Sequence, residues 1–473
     1  MSAGMLRWGI RRNIMADETS GLKRSIGGTR LFVLAVSSIV GPWLVMTNWW
    51  ISLTGPSIAL AFVLLGILCI PIGLVYGELT AMFPQAGGSY VYIHRAFGKE
   101  ATYWANWALM LSYTTVLAFQ LKSLMSIVQY LWWPDMTNMA FIGIALAIAV
   151  CVYLLNTREV TLGTAVQYGI FIILAVVGLG YSLLFFISPQ YSTANLTPFL
   201  QNGTDGLFTA TALMVTMFFG FEVIPQFAEE ANYPIQKTWK PMIGAILFVV
   251  FFDCAITLAE SGMGSFATIT ATPMLGASLA LNAYGSWLQY AIALANVAAL
   301  SGCLVGFWMG GSRILLAMGR AGGLPKIFAK VNKNKVPSTA NFVILAIVVM
   351  FILLTGSAWL ASLFTLMAVG VGITYTGVSL SFIKFRLKNK DINRPWKAPG
   401  GILMGIAALF GSVLIAYFTI IYFTTDVWIL FIIYFGIVGG IRALMIYDKN
   451  KHPDKYGTMA PIGDQTPQTV VGK

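Results

Sequence analysis

Apolar runs long enough to cross a bilayer recur along nearly the whole chain, and they constrain its fold more than any other feature. About twenty helical residues span roughly 30 Å of hydrocarbon. Such runs fall at residues 31–52, 57–82, 101–133, 138–156, 160–188, 206–230, 238–262, 285–318, 338–356, 358–385, 400–424 and 427–447. Composition agrees: 10% of the 473 residues are charged and 58% are hydrophobic, where a water-soluble chain carries about a quarter charged residues. The expected fold is an all-α membrane protein of about twelve transmembrane helices. Residues 1–30 read as a basic leader, 31–447 as one membrane domain and 448–473 as a polar tail expected to be disordered.

The net charge of +12 is placed on one side. With the N-terminus inside, every connection on the inner face carries Lys or Arg, among them Arg95, Lys99, Arg158, Lys237, Lys333 and Lys390, and the outer connections carry none. This asymmetry predicts an even number of spans with both termini cytoplasmic in a cell membrane, and it argues against nucleic acid as a partner. The charged leader meets the first span with no small-residue cleavage site, so that span is expected to stay in the membrane. The stretch at 188–206 is the longest polar outer loop, placed to order against the outer mouth.

Several chemistries lack their residues. The two histidines, His94 and His452, lie in inner connections, so no histidine cluster for a metal is expected in the core. Cys69, Cys151, Cys254 and Cys303 sit within apolar runs and read as small hydrophobes without disulfides. No G-x-x-x-x-G-K-[ST] phosphate loop occurs, so neither nucleotide nor another cofactor is implied. A membrane enzyme would need clustered ionisable groups, and the intramembrane acids are scattered. What remains is transport of a small polar molecule, with a sensor on the same scaffold separable by flux measurements; the oligomeric state is not legible.

Irregular backbone at membrane depth survives only where it is buried in protein or lines a cavity, so glycine and proline within spans point to a transport site. The first span contains Gly41, Pro42 and Trp43. The sixth contains Phe218, Gly220, Phe221 and Glu222, followed by Pro225. These two spans open two successive groups of five, as an inverted repeat of five plus five requires. Pro71 and the glycines of the eighth span are competing breaks, and packing glycines are the plainer alternative.

The segment Pro84–Gly98, PQAGGSYVYIHRAFG, with Glu78 before it, resembles the connection after the second span in the amino acid, polyamine and organocation transporters. Gly220-Phe221-Glu222 with Ala228-Glu229-Glu230, Asn232 and Pro234 is similar to that family's sixth span. Ser312-Arg313, Ala317-Met318, Gly322 and Leu324-Pro325 resemble the end of its eighth. The resemblance implies a leucine-transporter type of fold, with substrate between the unwound parts of spans 1 and 6 and with spans 3 and 8 as walls. It implies an amino acid or related amine as substrate, moved by symport or exchange. A polyamine carrier, or an exchanger of an amino acid for its decarboxylation product, is the alternative. Many members have Gly-Ser-Gly in the first span, where this chain has Gly41-Pro42-Trp43. One backbone donor for a substrate carboxylate is thereby lost and an indole occupies the space.

Individual residues carry two readings each. Glu222 is the candidate proton-coupling group, as its acidic counterpart is in relatives, or a hydrogen-bonded scaffold carboxylate. Lys122, in the outer part of the third span, is a candidate site cation for a carboxylate, or a lysine snorkelling to the interface. Asp253 and Glu260 face the same choice with no motif to single them out. Trp43, Phe218, Phe221 and Phe307 offer aromatic faces to a substrate amine, or are packing residues. Phe307 falls where relatives carry a substrate-stacking tryptophan, with Trp308 one residue away. The lysine that replaces sodium in the fifth span of some relatives is Leu174 here. With no cluster of intramembrane acids dense enough to demand a metal ion either, proton coupling or exchange is favoured over sodium coupling, although carbonyls and hydroxyls can also hold sodium.

Overall fold

In a computed structural model, residues 22, 24–158, 160–356 and 359–458 are described, without the side chains of 160–166. Most of the basic leader (1–21 and Lys23), including Arg7, Arg11 and Arg12, and the tail from residue 459 lie outside the described residues. Sixteen α-helices follow in order: α1 (Gly28–Ile39), α2 (Trp43–Thr54), α3 (Ile58–Met82), α4 (Ser89–Phe97), α5 (Lys99–Leu131), α6 (Asn138–Asn156), α7 (Val160–Phe186) and α8 (Gly203–Leu213). Then come α9 (Trp239–Ser261), α10 (Phe266–Ala271), α11 (Leu275–Tyr284), α12 (Ser286–Arg320), α13 (Ser338–Leu354), α14 (Trp359–Lys388), α15 (Ile402–Ile421) and α16 (Thr425–Lys451).

Among the described residues, ten segments are long and apolar enough to cross a membrane, with Gly28–Ile39 and Ser338–Leu354 as shorter apolar helices. The ten match the expected twelve once two facts are taken into account. Trp43–Met82 contains both the second half of span 1 and all of span 2, and α13, at 17 residues, is a short span. Continuous α3 carries Pro71 in its interior, so that proline does not make a break.

The first span is interrupted at Val40–Pro42, between α1 and α2. Val40 is extended (φ −71°, ψ 107°), and α2 starts directly after Pro42, which has no N–H to lose at a helix start. The sixth span departs further from a helix. After α8 it tightens to a 3-10 turn over Met214–Phe218, opens at Phe219 and Gly220, and resumes as a 3-10 segment, Phe221–Phe227, that contains Pro225. Gly220 adopts φ +137°, a region closed to side-chain-bearing residues. The two interruptions touch: a Cβ on Gly220 would stand 3.0 Å from the Ile39 amide nitrogen and 3.1 Å from the Ser38 carbonyl carbon.

Around the breaks, α1 packs on α7, α9 and α12, α5 lies between α12 and α14, and α3 packs on α9 and α15. The Lys- and Arg-rich connections and α4 form one end of the bundle, called here the basic end. At the opposite end the polar loop is tied down: the Gln201 amide donates to Thr54 O (3.1 Å) and Asn202 Nδ2 to Leu53 O (2.9 Å). Asn195 Nδ2 likewise reaches Gly262 O at 2.8 Å.

The start of the tail differs from the disordered segment expected. The helix of α16 runs on to Lys451, the Tyr456 phenol donates to Asp448 Oδ2 at 3.0 Å, and Tyr456 forms an antiparallel bridge with Pro325. Low hydropathy hid this, because the contacts are polar and made to a connection more than a hundred residues earlier.

Candidate functional site

A small cavity of about 10 Å3 lies where the breaks meet α5, α12 and α14. That is close to the least space a single water needs, so this conformation is closed around its centre. The apolar lining is Ile39, Val116, Phe119, Met217, Phe219, Phe307 and Met367, with Pro42 at the break. The polar lining is Ser38, Gln120 and Thr216, all neutral. Phe219 stacks on Phe307 at 4.8 Å, and the Tyr113 ring meets their edges at 5.4 and 5.0 Å.

Of the expected site residues, Pro42 and Phe307 line the cavity and Gly41 and Gly220 build its backbone. The Gly41 carbonyl accepts from Asn296 Nδ2 at 2.8 Å, and the Ser38 carbonyl from Cys303 Sγ at 2.8 Å. Two of the carbonyls at the first break are thus served by α12. A Cβ on Gly41 would stand 2.7 Å from Gln120 Nε2, so glycine is what lets Gln120 lie against the break. Gln120 Oε1 has no hydrogen-bond partner among the described residues. It is a buried acceptor presented at the cavity wall.

The remaining expected residues point elsewhere. Trp43 is buried against Phe252 of α9 (5.4 Å, edge-on), Phe218 against Phe62 of α3 (6.4 Å), and Phe221 between Tyr76 and Tyr375. Trp308 packs toward Tyr153, which leaves Phe307 as the lining aromatic. Lys122 neither reaches the cavity nor snorkels: its ammonium donates to Thr355 O (2.5 Å) and Thr355 Oγ1 (2.9 Å), beside the Trp359 ring. Two residues along α5 turn a side chain by about 200°, so Gln120 faces the breaks and Lys122 faces away.

Glu222 is fully buried and stands one layer behind the cavity. Its Oε2 accepts from the Tyr375 phenol (2.7 Å) and the Gly220 amide (2.9 Å), and its Oε1 from the Tyr113 phenol (3.2 Å). No cation pairs with it among the described residues. Tyr113 therefore connects the cavity aromatics to the carboxylate. Glu260 is a second buried acid, bound by the Tyr181 phenol at 3.0 Å, and Asp253 lies two turns before it on α9; neither lines the cavity.

Toward the basic end the route is closed by ion pairs. Arg313 forms a bidentate pair with Glu230 (2.8 and 3.1 Å), both wholly buried, and stacks on Phe227. Glu229 accepts from Arg320 (2.9 Å) and from the Ala86 amide (3.0 Å). Glu78 holds Arg386 (2.5 Å) and the Ala398 amide (2.7 Å). The Ser25 and Ile26 amides donate to Glu230 O, laying the end of the leader across the same layer. These are the residues of the motif that reads Glu-Glu after the sixth-span break.

Sequence reasoning missed Gln120, Phe219, Thr216 and Tyr113. A polar residue deep in an apolar run was the available signal for Gln120, and it was passed over for the charge two positions later.

Comparison with known proteins agrees with this architecture. The chain is 26% identical over 453 residues to a protein named branched-chain amino acid permease of Bacillus subtilis (strain 168), covering 88% of this chain and 94% of that one. It is 25% identical over 424 residues to the aspartate-proton symporter of the same organism, covering 85% and 81%. It is 24% identical over 410 residues to that organism's methylthioribose transporter, covering 81% and 86%. A family profile described as amino acid permease matches residues 26–441, and with breaks in the first and sixth spans enclosing a central cavity, the chain belongs to the amino acid permease family.

Proposed function

We infer that this permease is a secondary transporter of a neutral amino acid with an apolar side chain, coupled to protons or working by exchange. The carrying observation is the cavity lining: seven hydrophobic side chains, a proline and three neutral polar ones, with no charged residue. A polyamine or cationic amino acid would need an acid there to offset desolvation of its charge. The relative named for branched-chain amino acids supports the same class. Gln120, Ser38 and Thr216 supply the donors and acceptors for the zwitterion, in place of the amide that Pro42 removes.

Coupling runs through Tyr113. A substrate that parts Phe219 from Phe307 moves the ring whose phenol holds Glu222, so occupancy of the cavity changes how that carboxylate is solvated. Glu222, a buried acid with no cation partner among the described residues, is the group suited to exchange a proton as the sixth span moves. Sodium is disfavoured because the described residues hold no cluster of acids that would demand a metal ion. We place both termini, and so the basic end, in the cytoplasm of a cell membrane, from the one-sided Lys and Arg distribution.

Uptake into liposomes is the test. Leucine, isoleucine and valine should be taken up and should compete with one another, with arginine, putrescine and agmatine inert; preferential uptake of a cation would overturn the substrate class. A steep sodium requirement would overturn the coupling. Single cysteines at positions 200 and 333 should label from opposite faces, and labelling of both from one face would refute the orientation.

A further inference from the structure

At the basic end, away from the transport cavity, α5 begins and α16 ends beside the turn after α12. A pocket of about 80 Å3 opens there, lined by Lys99, Tyr103, Gly322, Arg442, Ile446 and Lys449. Three cations from two spans face one another across it, and Lys449 lies within the field of both Lys99 and Arg442. Their local neutralisation is incomplete. Arg442 pairs with Glu100, itself two-thirds exposed. Lys449 reaches the Gly322 carbonyl at 3.4 Å and the face of the Tyr456 ring at 5.3 Å, and no acid among the described residues. Lys99 is exposed and has no acid partner among the described residues.

Gathering like charges costs free energy unless something negative joins them. Helix α5 begins at Lys99, in the pocket's lining, with Gly98 at its N-cap, and helix N-termini favour anions. The surroundings specify what kind of anion. Ile446 in the lining and Trp104 next to Tyr103 are exposed large apolar residues, so a ligand held by the lysines has an apolar flank to run along. A tryptophan and a tyrosine at this level mark the interface of a membrane.

We propose that this pocket binds the phosphodiester headgroup of an anionic lipid, with its acyl chains lying along the Trp104 and Ile446 faces of α5 and α16. The headgroup oxygens accept from Lys99, Lys449 and Arg442. Because α16 continues into the segment that pairs with Pro325, an occupied pocket also fixes the end of α12 that carries Arg313 and Arg320. The site rests on the cytoplasmic placement of the basic end only for the leaflet it would meet.

Purified full-length protein in a neutral detergent, titrated with a short-chain phosphatidylglycerol, tests the proposal through the thermal unfolding midpoint. Midpoint should rise saturably, and Lys99→Gln combined with Lys449→Gln should weaken half-saturation about 30-fold, taking each lysine's contribution near a lipid surface as about 1 kcal/mol. Lys388→Gln combined with Lys390→Gln, which removes two cations elsewhere at the same end, should bind as the parent does. An equal shift with short-chain phosphatidylcholine, an equal shift with inorganic phosphate at the same concentration, or equal weakening in the control variant would each overturn it. Leucine-induced stabilisation, measured on the same samples, reports folding of the variants. It also separates failure of this site from failure of the substrate assignment, since neither lysine touches the cavity.

Discussion

The Tyr375 phenol donates to Glu222 Oε2 at 2.7 Å, joining α14 to the broken sixth span across 153 residues of sequence. The same oxygen accepts the Gly220 amide, and the other accepts Tyr113, so three elements converge on one carboxylate. Glutamine at 222 keeps the shape and can still accept and donate to the phenols, but cannot exchange a proton. Glu222→Gln should therefore retain substrate binding and exchange while losing the pH dependence of net uptake. Uptake across a pH series in liposomes decides it; an unchanged profile would leave Glu222 as scaffold. Tyr375→Phe removes a hydrogen bond to a carboxylate, worth about 1.5–3 kcal/mol, and should lower the thermal midpoint even without substrate.

Gln120 gives the sharpest substrate prediction. Gln120 lines the cavity and its Oε1 has no partner among the described residues, and the ammonium of a zwitterion would be a strong donor to it. Gln120→Leu should raise KM by about 10- to 100-fold through loss of one charge-assisted bond, with kcat less affected. Gly41→Ala drives a methyl to within 2.7 Å of Gln120 Nε2 and should produce a similar rise by displacing the same amide. Because the two changes act on one group, the double variant should be little worse than either alone. Additive losses would show that Gln120 is not the shared contact.

Gly220 should tolerate no substitution. Its φ of +137° excludes a side chain, and an added Cβ would press on the Ile39 amide and the Ser38 carbonyl carbon, which are backbone and cannot swing aside. Gly220→Ala should cost at least about 1–3 kcal/mol from strain alone and abolish transport, because the two breaks can no longer meet. Gly169→Ala, on α7 with open space around it, is the matched control. It should leave the midpoint unchanged or slightly raised, as alanine usually does in a helix.

How much of this was legible in the sequence follows from which physical signals have a period. The spans and the two breaks were, because twenty-residue apolar runs and mid-span glycine and proline leave marks that need no partner. Side-chain direction beside a break was not. Trp43 begins α2 immediately after Pro42, so its azimuth depends on the backbone angles of Val40–Pro42, and those turn it toward Phe252. The same loss of phase exchanged Phe218 for Phe219 in the sixth span, where a 3-10 turn replaces the helix on which counting relies. Phe307 lies within the uninterrupted helix α12, so counting keeps its phase, and it lines the cavity. Lys122 was misread in both ways because its partner, Thr355, is 233 positions away at the end of α13.

The buried pair Arg313–Glu230 makes the last prediction, which concerns the cycle more than the fold. Removing one partner of a buried ion pair leaves the other uncompensated and costs about 3–5 kcal/mol. Here that cost falls on the closed state, because opening the basic end would expose both groups to water. Glu230→Gln and Arg313→Gln should each shift the protein toward a conformation open at that end. A cysteine at Met309, one turn along α12 toward the cavity and buried in this structure, reports the shift. Its labelling by a water-soluble maleimide should quicken at least about tenfold in either variant, a change of about 1.4 kcal/mol in the opening equilibrium. Exchanging the partners, Glu230→Arg with Arg313→Glu, should return labelling toward the parent rate. If labelling stays slow while the thermal midpoint falls, the pair supports the fold without acting as a gate, and closure rests instead on Glu229–Arg320 and the end of the leader at Ile26.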